Sequence, residues 1–200
     1  VTGAAAGAER DATARKPAIW RSGVTRADPT LPYSRVRYRA VTSLSTSTTT
    51  YRMWKRLAGR PGGSRMFSAA AMARVPYFAS VLPHVVRMEP GFAEVTVPKW
   101  FFVHNHLSTV HAIASCNAAE MAMGMLMEAT VPTTHRWIPK AMTVQYLQKA
   151  TTSLRAIARI DPPDFGAITE GTELVVPIGV VDRTGAEVVH AEITTWVTPG

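Results

Sequence analysis

The sequence predicts an α+β fold in which a curved antiparallel sheet wraps around one long central helix, with shorter helices preceding it. Three observations carry this. The stretch from about Thr109 to Glu128 lacks proline, has its single glycine at Gly124 and is loaded with Ala, Met and Leu, so it reads as a helix of roughly 28 Å at 1.5 Å per residue. That helix is apolar nearly all round, the mark of a helix enclosed by its own domain. Around it the period changes to two, in a hairpin before the helix and four strand-like runs after it. A sheet with one face to bury and a helix with every face to cover have one economical arrangement, the sheet curling round the helix.

In chain order, residues 1 to 50 are rich in Ala, Arg, Thr and Ser and repeat no apolar period long enough to fold, which predicts a disordered basic extension. Its Arg-rich, acid-poor composition is similar to an organelle transit peptide, and an upstream start site is an equal alternative. Residues 51 to 65 are read as a short amphipathic helix, Tyr51 to Leu57, closed by Gly59-Arg60-Pro61-Gly62-Gly63. The folded domain is placed at residues 66 to 200. It begins with a helix from Met66 to Leu82 that Pro76 kinks or splits. His84 to Glu89 and Phe92 to Lys99 form a hairpin about Glu89-Pro90-Gly91, with Ala93, Val95 and Val97 on one face and Glu94 and Thr96 on the other. Ser108 or Thr109 is the expected N-cap of the long helix. Strands are then expected at Trp137 to Lys149, Leu154 to Ile160, Glu173 to Val181 and Glu187 to Val197, with Pro177 marking an edge or a bulge.

The formal net charge of +8 invites a nucleic-acid reading until it is located. Residues 1 to 65 carry 13 of the 22 Lys and Arg but 3 of the 14 acids, a net +10, whereas the remainder carries 9 and 11, a net −2. The basicity belongs to the extension, so no specific nucleic-acid groove is expected on the domain. No run approaches the 18 or so apolar residues of a membrane span. A single cysteine, Cys116, excludes an intrachain disulfide and a cysteine-based zinc site and favours a reducing, cytoplasmic setting. At mid-helix among Ala and Met, it reads as a small core residue.

Glu120 stands in the middle of the apolar helix. A carboxylate enclosed there loses hydration, so it is either paired or held for chemistry. It shares a face with Cys116, Asn117, Gly124 and Met127, and the small residues beside it leave room for a ligand. Asn117 either holds the carboxylate or a water, or satisfies a neighbouring backbone group. His104 and His106 share one face of an extended segment, and with His111 and Glu120 a metal site can be drawn; the spacing matches no strong motif, and no metal is assigned. His111 and Glu120, nine positions apart, fall about 180° apart round a helix and about 13 Å apart along it. One copy of the helix cannot bring both to one carbonyl, so cooperation requires a second subunit.

Such a sheet about such a helix is the hotdog architecture. Asn105, His111 six residues on and Glu120 nine further on resemble the Asn, His-Gly-Gly and helical Asp or Glu signature of hotdog-fold acyl-CoA thioesterases of the phenylacetyl-CoA type. Asn105-His106-Leu107-Ser108-Thr109-Val110-His111-Ala112-Ile113-Ala114, with Arg136-Trp137-Ile138-Pro139-Lys140 downstream, further resembles an uncharacterised bacterial branch of that family. The resemblance covers roughly residues 66 to 198 and implies hydrolysis of acyl-CoA, with coenzyme A as part of the substrate and no separate cofactor. It also implies a dimer or tetramer with active sites shared between protomers. In this reading Glu120, Asn105 and His111 are the catalytic candidates, and Ala112, Ile113 and Asn117 line the oxyanion and substrate site. The amides at the helix start, Ala112 above all, would stabilise the oxyanion, Glu120 of the partner would activate water, and His111 would either shape the turn or act directly. The chain departs from the family by placing Ala112-Ile113 where Gly-Gly is usual, which narrows the approach of a carbonyl to the backbone. The alternatives are a non-catalytic acyl-CoA or fatty-acyl binding protein and an enoyl-CoA hydratase or dehydratase. Met121, Met123, Met125 and Met127 are read as core filling rather than an acyl tunnel. Lys140, Arg136, Lys149 and Arg155 are cations that could meet phosphates, with no motif to rank them.

Overall fold

Helix α1 (Thr49–Leu57) opens the computed structural model, which describes residues 47–200. The expected basic extension therefore lies, through residue 46, outside the described residues, while its last four residues are part of the fold. Ser47 is buried, and the Thr48 hydroxyl caps α1 by accepting from Tyr51 N at 3.1 Å. The same hydroxyl donates to the carbonyl of Glu128 at 2.7 Å, tying the start of α1 to the far end of the long helix. Tyr51 and Trp54, one turn apart, are the buried face of α1.

Helix α2 (Gly63–Arg74) follows directly, and Gly63 has to be glycine: a Cβ there would stand 1.8 Å from the Leu57 carbonyl oxygen. Phe67 of α2, fully buried, meets Trp54 edge to face at 5.1 Å between ring centroids. Pro76 splits the expected Met66 to Leu82 helix. It cannot donate to Met72, so α2 stops at Arg74 and a separate 3-10 helix, Pro76–Ser80, begins with the proline in its first turn.

Strands β1 (His84–Glu89) and β2 (Phe92–Val97) form the expected hairpin, with Gly91 at φ 77° in its turn. Then come the long helix α3 (Ala112–Thr130) and strands β3 (His135–Tyr146), β4 (Leu154–Arg159), β5 (Thr172–Val181) and β6 (Glu187–Pro199). All pair antiparallel in one six-stranded sheet of order β1-β2-β4-β5-β6-β3. Inward alternation is clean: Ala93, Val95, Val97, Leu154, Ala156, Ala158, Val176, Ile178 and Val180 are all buried under α3. Pro177 lies within an interior strand, but β4 pairs with β5 only from Ile178 onward, so the proline sits where that side of the strand has no partner.

The two ends of the sheet differ. At β1 the edge is covered by α2: Ser64 Oγ donates to Val85 O, and Ser68 Oγ accepts from Val85 N at 2.9 Å, so two serines one turn apart pair the edge backbone. At β3 the edge is open, with Ile138 and Tyr146 61% and 54% exposed.

Of the 19 residues of α3, 13 are buried, among them the four methionines, which fill the core. No helix among the described residues is long and apolar enough to cross a membrane. One expectation for α3 needs correction. It starts at Ala112 rather than near Thr109, and its N-cap is His111 rather than Ser108 or Thr109. The cause is local: residues 105 to 109 are closed into a turn by Asn105, which places Ser108 at φ 55° and takes Thr109 out of the helix.

Candidate functional site

The site is built on the loop that leads into α3. Asn105 organises it. Its Oδ1 accepts from Leu107 N at 2.9 Å and Thr109 N at 3.1 Å, while its backbone N–H donates to Thr109 O at 2.9 Å. His104 and Val110 then face each other across an isolated antiparallel bridge. Val110 N donates to Ala150 O at 2.8 Å and His111 N to Val103 O at 2.7 Å, so the helix start is anchored to two neighbouring segments.

His111 turns the chain into α3. Its Nδ1 accepts from Ile113 N at 3.1 Å, an N-cap made by imidazole. The Ile113 amide is thereby committed, and among the described residues the Ala112 amide has no hydrogen-bond partner. Of the two donors expected for an oxyanion, the structure leaves Ala112 available. Ile113 instead exposes its side chain, 52% accessible, at the mouth of the site.

Glu120 is half-buried rather than enclosed, because one stripe of α3 is left uncovered by the rest of the chain. From Ala114 onward, Cys116, Glu120, Gly124 and Glu128 recur every four residues and are the partly exposed positions of an otherwise buried helix. The carboxylate of Glu120 makes no hydrogen bond or ion pair among the described residues. Strand β3 flanks the stripe. Tyr146 OH lies 3.3 Å from Cys116 Sγ, and a Cβ added at Gly124 would stand 3.9 Å from the Trp137 ring; Glu120 lies one helical turn from Cys116 and from Gly124. The contact with Cys116, aided by burial, holds the Tyr146 phenol above its ordinary range. Cys116 is accordingly a partly exposed neighbour of Glu120 and not a core residue.

Asn117, also on α3 but buried, accepts from Tyr77 OH at 3.4 Å. Sequence reasoning missed Tyr77, because nothing in a linear pattern pairs the first turn after a proline with a helix forty residues on. The loop of Asn105, the cap of His111 and the free amide of Ala112 come together. Glu120 stands apart, about 12 Å along α3 from its start. Among the described residues no three His, Cys, Asp or Glu side chains gather as metal ligands would.

A six-stranded antiparallel sheet curled round one long helix, with a capped loop at the helix start, defines a hotdog-fold protein. Residues 63–197 match the model of the family described as domain of unknown function DUF4442, and the chain belongs to that family. A crystal structure of genomics target APC5556 is 43% identical, covers 76% of this chain and 99% of its own, and superposes with a TM-score of 0.66. A protein of unknown function from Pseudomonas aeruginosa, named a probable thioesterase, is 16% identical over 78% of this chain and 99% of its own, with a TM-score of 0.63. A mutant of a thioesterase from Staphylococcus aureus is 16% identical over 62% of this chain and 99% of its own, with a TM-score of 0.54. At that identity the last two establish the shared fold. No curated protein matches the chain.

Proposed function

We propose that this chain hydrolyses acyl-CoA thioesters in a site shared by two protomers. The observation that carries the reading is Glu120: a carboxylate without a partner, half-buried on a stripe of small residues, in a helix whose other faces are packed. Support comes from the fold it shares with the probable thioesterase of Pseudomonas aeruginosa and the thioesterase of Staphylococcus aureus, and from the unengaged Ala112 amide at the start of the same helix.

In this mechanism the thioester carbonyl lies against the start of α3, where the Ala112 N–H and the aligned helix dipole meet the charge developing on oxygen. Glu120 of a second protomer removes a proton from water, and the resulting hydroxide attacks the carbonyl carbon. Collapse of the tetrahedral intermediate breaks the carbon–sulfur bond, and the proton held by Glu120 passes to the departing thiolate. Asn105 fixes the loop, His111 fixes the helix start, and Asn117 with Tyr77 shapes the wall beside Glu120. The second protomer is brought by the open β3 edge, whose regular stretch from Ala141 to Tyr146 runs beside the uncovered stripe of α3.

The test is thiol release from a panel of short, long and aromatic acyl-CoAs. Turnover by the native chain that falls at least 100-fold in Glu120→Gln, with the melting temperature unchanged, is the expected result. Binding without turnover would identify an acyl-CoA binding protein instead, and water addition to an enoyl-CoA without thiol release a hydratase.

A further inference from the structure

A cavity of about 910 Å³ opens between α2 and the ends of β1, β2 and β4, and nothing in the thioester reading uses it. Its floor is a row of three directly paired residues, His84 on β1, Thr96 on β2 and Arg155 on β4. Arg65, Ser68 and Met72 of α2, one face of that helix, form one wall. Ser153 and the Asp182-Arg183 turn close the far side, and Leu82, Pro83 and Pro98 supply apolar surface.

The charges are arranged for an anion. Three arginines face one acid, and that acid is already committed: Asp182 Oδ1 accepts from Thr184 N, Thr184 Oγ1 and Ala186 N. Arg155 has Glu94 as a loose partner at 3.7 Å, whereas Arg65 and Arg183 have no side-chain partner among the described residues. Burial, and secondly the charge of Arg65, hold the His84 imidazole below its ordinary range, so Arg65 projects its field into the cavity. The Ser153 hydroxyl accepts from Lys99 N at 3.0 Å and keeps its own proton to donate.

Arginine forks match phosphate oxygens in pairs, and the apolar rim gives a non-phosphate part of the ligand something to lie against. We propose that this cavity binds an organic phosphate of the nucleotide class, held by Arg65, Arg155 and Arg183. Two sources present that chemistry: the nucleotide end of coenzyme A and a free nucleoside diphosphate. The cavity is linked to the loop that enters α3 along the chain: Ser153 lies three residues from Ala150, whose carbonyl receives Val110 N. The site stands on its own side chains and does not require that the chain be a hydrolase.

Calorimetric titration of the full chain with coenzyme A, ADP, adenosine and inorganic phosphate tests it, separately from any turnover. Binding of coenzyme A or ADP with little for adenosine is expected, weakened at least tenfold by the double variant Arg65→Ala, Arg183→Ala and by Arg155→Ala, with unchanged melting temperatures. Coenzyme A alone would identify the source as the thioester's own nucleotide, and equal binding of ADP a general nucleotide site. Absence of binding at millimolar ligand, inorganic phosphate binding as tightly as the nucleotides, or affinities untouched by the arginine variants would overturn the proposal. The last result would place the binding on the basic extension.

Discussion

His111 accepts the amide proton of Ile113 on its Nδ1 at 3.1 Å, while the Ala112 amide, one residue earlier, has no partner among the described residues. The imidazole thus acts as a cap, and in the proposed hydrolysis the position beside it would receive the substrate oxygen. In a helix start that keeps Gly-Gly, the backbone itself can bend toward the carbonyl. Here Ala112 and Ile113 stand in place of Gly-Gly, and the His111 cap engages the Ile113 amide.

Ala112→Pro isolates that donor. Ala112 is the first helical residue, where proline is favoured, and His111 has ψ 139°, the extended conformation that a following proline requires. The variant is expected to melt within a few degrees of the native chain while thiol release falls about 100-fold or more. Unchanged turnover would remove the Ala112 amide from the mechanism.

His111→Ala loses the cap and is expected to cost about 1 kcal/mol of stability by denaturant unfolding. His111→Asp restores an acceptor for Ile113 N, and it is expected to recover both the stability and most of the activity. Full stability with abolished turnover in the Asp variant would assign the ring a direct part in chemistry.

Asn105→Asp keeps the Oδ1 acceptor used by Leu107 N and Thr109 N, whereas Asn105→Ala removes it. The Ala variant is expected to lose about 1–3 kcal/mol, since two loop amides lose their partner, and to lower turnover with it. The Asp variant is expected to stay within about 1 kcal/mol of native. Equal stability of all three would show that the 105 to 109 turn does not depend on this side chain.

Much of this was legible in the chain. The period-two runs of Ala93-Val95-Val97 and Leu154-Ala156-Ala158 announced one buried face, and the composition of the Ala112 to Thr130 region announced the enclosed helix. The helix start was misplaced because an Asx turn at Asn105 competes with helix for Ser108 and Thr109, a choice that propensity alone does not decide. Glu120 was expected to be enclosed because composition records only that a face is apolar, not how completely it is covered. The stripe of Cys116, Glu120 and Gly124 is small and uncharged apart from the acid, yet the chain leaves it partly open. Its neighbours Tyr146 and Trp137, and Tyr77 beside Asn117, are brought there by tertiary packing that leaves no trace in local spacing.

The measurement that bears most directly on a site divided between protomers is subunit complementation. Glu120→Gln and Ala112→Pro chains, each inactive alone, are unfolded together in equal amounts and refolded. A shared site predicts recovery of about one quarter of native thiol release, since half of random pairs are mixed and each mixed pair rebuilds one intact site of two. Recovery no greater than the sum of the separate variants, with mixed pairs demonstrated by mass spectrometry, would contradict it.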